Sequence, residues 1–198
     1  MARIDFKQLQ FIVEKQITKT RAFRQRAIQE ANMKLEDAKE VFLEEFEENA
    51  ITEEIKAGPT LETSNILQDG YGNLFSFIGF PKDTDPIKVL YDYLDSHIRL
   101  VQTPVTEEKR YLFRASVPSL TDLYGVTPMP WGTSQSWLYA IENGIPGFNK
   151  YLFDLDRKFK NSLSGPAIEV EPDVRAATYT PQEYITPMLE ELKKLILN

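Results

Sequence analysis

Residues 5–49 read DFKQLQFIVEKQITKTRAFRQRAIQEANMKLEDAKEVFLEEFEEN and contain neither glycine nor proline. All 9 Gly and all 12 Pro of the 198-residue chain lie at or beyond Gly58. Phe6, Leu9, Val13, Ile17, Phe23, Ala27, Ala31, Leu35, Ala38, Phe42 and Phe46 recur mostly every three or four positions. That spacing makes one apolar stripe on a 3.6-residue period and predicts a helix from about Asp5 to Asn49. Thr52-Glu53-Glu54 opens one further short turn, which Gly58-Pro59 stops.

A continuous helix of that span is roughly 66 Å long. A compact domain of this size is only about 40 Å across. The helix therefore breaks, with Thr18–Thr20 or Asn32 as the weak points, or half of it leaves the body and packs elsewhere. Its charges are segregated. Lys15, Lys19, Arg21, Arg24 and Arg26 occupy the first half, whereas Glu36, Asp37, Glu40, Glu44, Glu45, Glu47 and Glu48 occupy the second, opposed only by Lys39. Acids toward a helix C-terminus are disfavoured by the macrodipole, so local helix electrostatics do not account for them. Two readings remain: a solvated outer face, or head-to-tail pairing of one copy's basic half with the acidic half of the next.

Downstream, residues 58–72 form a polar loop of turn residues. Asn73–Phe80 predicts a short strand with apolar groups on both faces. Asp85-Pro86 caps and opens a helix to about Ser96, burying Ile87, Leu90, Tyr91 and Leu94. Ile98–Val105 and Arg110–Val117 predict a hairpin. Pro118–Trp131 reads as a long Pro-rich loop, and Ser134 as the cap of a short helix Gln135–Asn143 closed by Gly144. Asn149–Phe153 and Ala167–Val170 are further strands. Thr180-Pro181-Gln182-Glu183 has capping-box spacing, with the final helix starting properly at Pro187 and running to Leu197. The clustered strands favour an α+β fold: a long N-terminal helix, a mainly antiparallel sheet flanked by short helices, and a C-terminal helix. Residues 1–57 form the helical segment and 58–198 an α+β part with long Pro-rich loops, in a single domain overall.

Composition excludes much chemistry. The chain has no cysteine and one histidine, so disulfides, thiolate zinc sites, iron–sulfur clusters and Cys nucleophiles are absent. With 23 Lys and Arg against 30 Asp and Glu, the net charge of −7 argues against a general nucleic-acid binder. The N-terminus lacks the apolar core of a secretory signal, and no stretch approaches the roughly 20 apolar residues of a spanning helix. A soluble product that folds in the cytoplasm is expected, with no membrane partner. Any Ser–His–Asp site must use His97, with Asp92 or Asp95 nearby, yet no Gly-x-Ser-x-Gly elbow exists. A histidine at a helix end more often bonds to backbone. Gly70-Tyr71-Gly72 lacks the third glycine of a dinucleotide turn. Asp154-Leu155-Asp156 lacks the remainder of a calcium loop and sits beside Lys158 and Lys160. Neither cofactor nor metal is therefore expected. Paired carboxylates for a hydrolase stay open, because their separation is a three-dimensional quantity. Tyr124, Trp131, Trp137, Tyr139, Phe148, Tyr151 and Phe153 cluster within 30 residues and read either as core or as interface anchors.

Separated blocks covering about half the chain resemble small tail-completion, minor-tail and neck proteins of tailed bacteriophages. They are Glu44–Glu53 (EEFEENAITE), Gly70–Phe80 (GYGNLFSFIGF) with Asp85-Pro86-Ile87, and Trp137–Gly147, leading into Tyr151–Phe153 and Ser162–Gly165. The resemblance implies a virion protein, made in the host cytoplasm, that forms a ring near the head–tail junction, with a hexamer as the expected form. It implies contact with other neck or tail proteins, DNA only passing through a lumen, and no active site. A ring needs two different complementary patches on one subunit. The residues expected to supply them are Lys15, Lys19, Arg21, Arg24 and Arg26, then Glu40, Glu44, Glu47 and Glu48, with Trp131 and Trp137 as aromatic anchors. A carboxylate-based hydrolase and a cytoplasmic assembly adaptor or chaperone are the competing readings.

Overall fold

The computed structural model describes residues 20–60, 73–107, 110–130, 132–144, 151–153, 167–169 and 180–197. Its longest element is helix α1, Arg21–Glu48, about 42 Å from end to end. Thr20 caps it, its hydroxyl accepting the Phe23 N–H at 3.3 Å. One of the two expected weak points is thus a helix start, while Asn32 continues helically. Asp5–Lys19 lies outside the described residues. At the far end Asn49 turns to extended backbone and its side chain accepts the Ile51 N–H at 2.9 Å. That one residue ends α1 and caps α2, Ala50–Lys56. A 3₁₀ turn, Gly58–Thr60, comes next.

Asn73–Phe80 corrects the sequence expectation. It contains helix α3, Leu74–Ile78, not a strand. A short apolar run has no period that separates the two; its ends decide. Asn73 accepts the Ser76 N–H at 2.8 Å, and Gly79 closes the helix with φ +89°, where a side chain would be strained. Leu74, Phe75, Phe77 and Ile78 are all buried, as befits a helix apolar on nearly every side. Buried Glu54 on α2 accepts the Leu74 N–H at 2.6 Å, and Asn73 donates to the Gly58 carbonyl at 2.7 Å.

Helix α4, Pro86–His97, starts behind the Asp85 cap with Pro in its first turn. Strands β1, Arg99–Glu107, and β2, Arg110–Ser116, pair antiparallel with a register shift between Val101 and Val105. The expected Pro-rich loop instead holds helix α5, Leu120–Val126, opened by a reciprocal Ser119–Asp122 capping box. Strands β3, Pro128–Met129, and β4, Gly132–Ser136, pair next. Helix α6, Trp137–Asn143, is capped by Ser136, two residues beyond the expected Ser134, and ends at Gly144 as expected. Strands β5, Tyr151–Phe153, and β6, Ala167–Glu169, form a third antiparallel pair.

Helix α7, Ile185–Leu197, begins before Pro187, which falls in the first turn where a missing N–H costs nothing. Thr180–Glu183 is not a capping box. The Gln182 N–H donates to the Ile141 carbonyl at 3.0 Å, which pins that segment to α6 as a non-helical strap. The fold is therefore α+β but rich in helix. Its strands form three separate two-stranded antiparallel pairs among the described residues, where a mainly antiparallel sheet was expected. No helix among the described residues is long and apolar enough to cross a membrane.

One apolar cluster joins the helices, from Leu35, Phe42 and Phe46 on α1 to Met188, Leu189 and Leu192 on α7. Phe46 lies between Tyr184, ring centres 6.1 Å apart, and Tyr91 of α4, at 6.5 Å. The Tyr184 hydroxyl meets the buried Thr52 hydroxyl at 2.6 Å, and burial raises its pKa well above the ordinary tyrosine value. Every buried side-chain polar atom among the described residues has a partner. This core fixes the inner half of α1 against α4 and α7, and so positions the charged faces outside it.

Candidate functional site

Helix α1 has two unlike halves. From Leu35 onward Leu35, Ala38, Phe42, Leu43 and Phe46 are buried. From Arg21 to Lys34 only the inner edge, Ala27, Ile28 and Ala31, is half-buried, and every other side chain is exposed. This outer half carries Arg21, Arg24, Arg26 and Lys34 against Glu30 alone. Arg26 lies 3.8 Å from Glu30 with both groups in solvent, a contact worth little. The side chains of Arg21 and Arg24 have no hydrogen-bonding or ionic partner among the described residues. The result is a cationic arm with Phe23 and Met33 exposed on it.

The inner half carries the acids on the side away from the core. Glu36, Glu40, Glu44 and Glu47 repeat at helical spacing and so share one face over roughly 16 Å. Helix α4 runs beside this face and contributes Tyr91 and Asp95. Between them lies an open groove of about 630 Å³, lined also by Lys39, Leu43 and Glu48. Leu43 and Tyr91 give it apolar wall, and six carboxylates face one lysine. Lys39, its side chain only 12% exposed, bonds Asp95 at 2.7 Å and lies 4.0 Å from Glu36. It ties α1 to α4 and offsets one charge. At one end Lys56 bonds Glu47 at 2.9 Å, and that carboxylate raises the lysine's pKa through its hydrogen bond and charge. Glu40, Glu44 and Glu48 have no partner among the described residues. Like charges four apart on a helix repel by a few tenths of a kcal/mol each, about 0.2–0.5. The groove therefore stores unrelieved negative potential. No three or more His, Asp or Glu side chains among the described residues are placed to hold a metal ion. The acids are strung along the groove, a layout that suits an extended cationic surface better than a point ion.

A second cavity, of about 490 Å³, lies among α5, α6 and the start of α7, with Glu142, Glu183 and Glu190 on its walls. Its central acid is already engaged. Glu142 accepts the Thr186 N–H at 2.8 Å and the Thr186 hydroxyl at 2.9 Å, and the Tyr124 hydroxyl lies 3.4 Å away. Glu142 thus caps α7 from 44 residues away, in place of the local capping box that was expected. Burial, and then the Glu142 charge, raises the Tyr124 pKa. Tyr139 packs edge-on to Tyr124, ring centres 5.4 Å apart.

Of the expected interface residues, Glu40, Glu44, Glu47 and Glu48 come together in the groove, and Arg21, Arg24 and Arg26 lie together on the arm. Trp137 belongs to neither. At 2% exposure it is a core residue, its ring edge-on to Phe80 at 5.7 Å, because it opens α6 on that helix's buried side. Lys15, Lys19 and Trp131 lie outside the described residues, as do Gly70–Gly72 and Asp154–Lys160. His97 ends α4 in solvent, its Nδ1 2.8 Å from the Tyr93 carbonyl and 2.9 Å from the Ser96 hydroxyl, its ring stacked on Tyr93. Neither neighbouring acid orients it: Asp92 binds Lys88 and Asp95 binds Lys39, both at 2.7 Å. Asp95 and Tyr91 carry no sequence signal as groove residues, since only the packing of α4 on α1 brings them there. Comparison with protein-family models, with curated proteins and with solved structures finds no match.

Proposed function

We propose that this chain is a non-enzymatic structural protein of a tailed-phage virion that assembles into a ring at the neck or tail end. There it completes or terminates the tail and links connector to tail. One observation carries the reading: α1 continues about 20 Å past its buried half as an exposed arm of charge opposite to the half that is packed. Among the described residues, the Arg21 and Arg24 side chains on that arm have no acid to rest on, and Arg26 has only the solvent-exposed Glu30. Two unlike, complementary patches on one subunit generate head-to-tail contacts, and such contacts close into rings when the rotation allows.

The hydrolase alternative needs two acids converging in a pocket with oxygens free to act. In the second cavity Glu142 uses both oxygens to hold Thr186. His97 is turned to backbone, which gives acid–base chemistry no support there. An acidic exterior also suits a passage that lets DNA through without binding it. Partners are further copies, with six the expected number, and neighbouring neck or tail proteins.

Native mass spectrometry and negative-stain imaging of the purified protein, alone and with isolated tails and connectors, test this. The expected result is one defined oligomer with a central opening, or assembly on those virion parts. A strictly monomeric chain that leaves tails and connectors unbound contradicts it.

A further inference from the structure

The geometry points to the α1–α4 groove as the seat of the cationic arm of a second copy of this chain, with Arg21 and Arg24, neighbours at helical spacing, entering among Glu40, Glu44 and Glu48. This inference rests on the ring reading and specifies its contact.

Three observations converge on that occupant. The first is charge. The groove lining holds Glu36, Glu40, Glu44, Glu47, Glu48 and Asp95, and Lys39 is consumed by Asp95 at 2.7 Å. The Glu40, Glu44 and Glu48 carboxylates are left without partners among the described residues, as are the Arg21 and Arg24 guanidinium groups on the arm. The second is form. The groove is open, elongated along α1 and has Leu43 and Tyr91 as apolar wall, while the arm is a helix with exposed Phe23 and Met33 beside its arginines. Carboxylates on an apolar-walled groove suit an amphipathic cationic helix. Guanidinium groups match carboxylates in paired hydrogen bonds that a small ion cannot reproduce. The third is connectivity. Arg24 and Glu40 belong to one unbroken helix and lie about 24 Å apart along its axis. The arm cannot fold back into its own groove, so the contact is between copies and is head-to-tail.

Charge reversal tests it in the full chain. One variant carries R21E, R24E and R26E; the other carries E40K, E44K and E48K. All six positions are exposed, and thermal melting verifies that each variant folds. Sedimentation velocity at about 50 mM salt, where screening is weak, reads the association. Each variant alone is expected to self-associate about tenfold more weakly than wild type, or less still. An equal mixture is expected to recover assembly, because each reversed arm then meets a reversed groove. If wild type forms its oligomer and the groove variant alone forms the same one, the seat lies elsewhere, the inference is overturned and the ring reading stands. If both variants lose assembly and the mixture does not recover it, direct arm–groove pairing is likewise overturned. If wild type is monomeric yet binds isolated tails, and the groove variant does not, the groove takes a different protein and the second copy is rejected as its occupant. A wild-type monomer that binds no virion part removes the ring reading itself.

Discussion

Glu54 and Glu142 lie against the starts of helices α3 and α7, where their oxygens accept backbone N–H groups at 2.6 and 2.8 Å. Glu40, Glu44 and Glu48 stand on α1 with no partner among the described residues, along a groove that they make negative. The same functional group serves two ends. In the first region a carboxylate supplies an acceptor that the chain does not provide locally, and folding depends on it. In the second, carboxylates repel one another and folding gains nothing from them. In the proposed arm-and-groove contact, acids that stabilise nothing within the subunit serve a surface outside it.

Removing the engaged acids probes the first region. Glu54→Ala leaves the Leu74 N–H unpaired in a buried place and is expected to cost about 3 kcal/mol, read as a lowered denaturant midpoint with unchanged slope. Glu142→Ala removes both contacts to Thr186 from a half-buried position and is expected to cost about 2 kcal/mol. Its effect concentrates at the N-terminal turn of α7, where amide hydrogen exchange accelerates. Equal stability of either variant and wild type means that these carboxylates are not structural.

Tyr184 extends the contrast, since it shows what an engaged buried group does with pH. Burial raises its folded-state pKa, so its contribution is fully present below the unfolded tyrosine value near about pH 10 and is lost as pH rises beyond it. Tyr184→Phe gives up the hydrogen bond to Thr52, expected to cost about 1 kcal/mol at neutral pH. Above about pH 10 the gap between the two proteins is expected to close, because only wild type must bury or expel a phenolate. Paired unfolding curves at pH 7 and in mild alkali measure it; a constant gap contradicts the buried-phenol account.

The smallest effect is expected in the groove. Glu40→Gln with Glu44→Gln is expected to change monomer stability in high salt by no more than about 0.5 kcal/mol, in the stabilising direction, as three screened like-charge contacts four residues apart, Glu36–Glu40, Glu40–Glu44 and Glu44–Glu48, disappear. Chemical denaturation in high salt, where association is screened, measures it. A loss of about 2 kcal/mol or more places these acids with Glu54 and Glu142 and dissolves the distinction between the two regions.

The legible parts of this molecule are those whose determinants are local. The Gly-free, Pro-free opening with its apolar period marks α1, and its end at Asn49 is readable because an Asx residue there caps the next helix, α2. Asp85-Pro86 announces α4, and Gly144 announces the end of α6. Helix α3 passes for a strand because Leu74–Ile78 is apolar whichever period is applied, leaving Asn73 and Gly79 as the only signals. Helix α5 is hidden by flanking prolines, though Ser119 and Asp122 carry capping spacing. Half of the groove is visible as an acidic run on one helix. The other half, Tyr91 and Asp95, depends on α4 packing against α1, and the Glu142 cap of α7 spans 44 residues. Contacts of that range have no local signature. Trp137 shows the converse: an aromatic residue in a Pro-rich setting is as readily core as surface, and only its position at the start of α6 decides.

Assembly by arm and groove stands or falls on the mass of the wild-type protein by sedimentation equilibrium as salt is raised from about 50 mM to about 1 M, which shortens screening from over 10 Å to about 3 Å. A closed oligomer at low salt that dissociates to folded subunits at high salt is the result predicted for rings held in this way. A monomer at every salt and protein concentration, or an oligomer indifferent to salt, contradicts it.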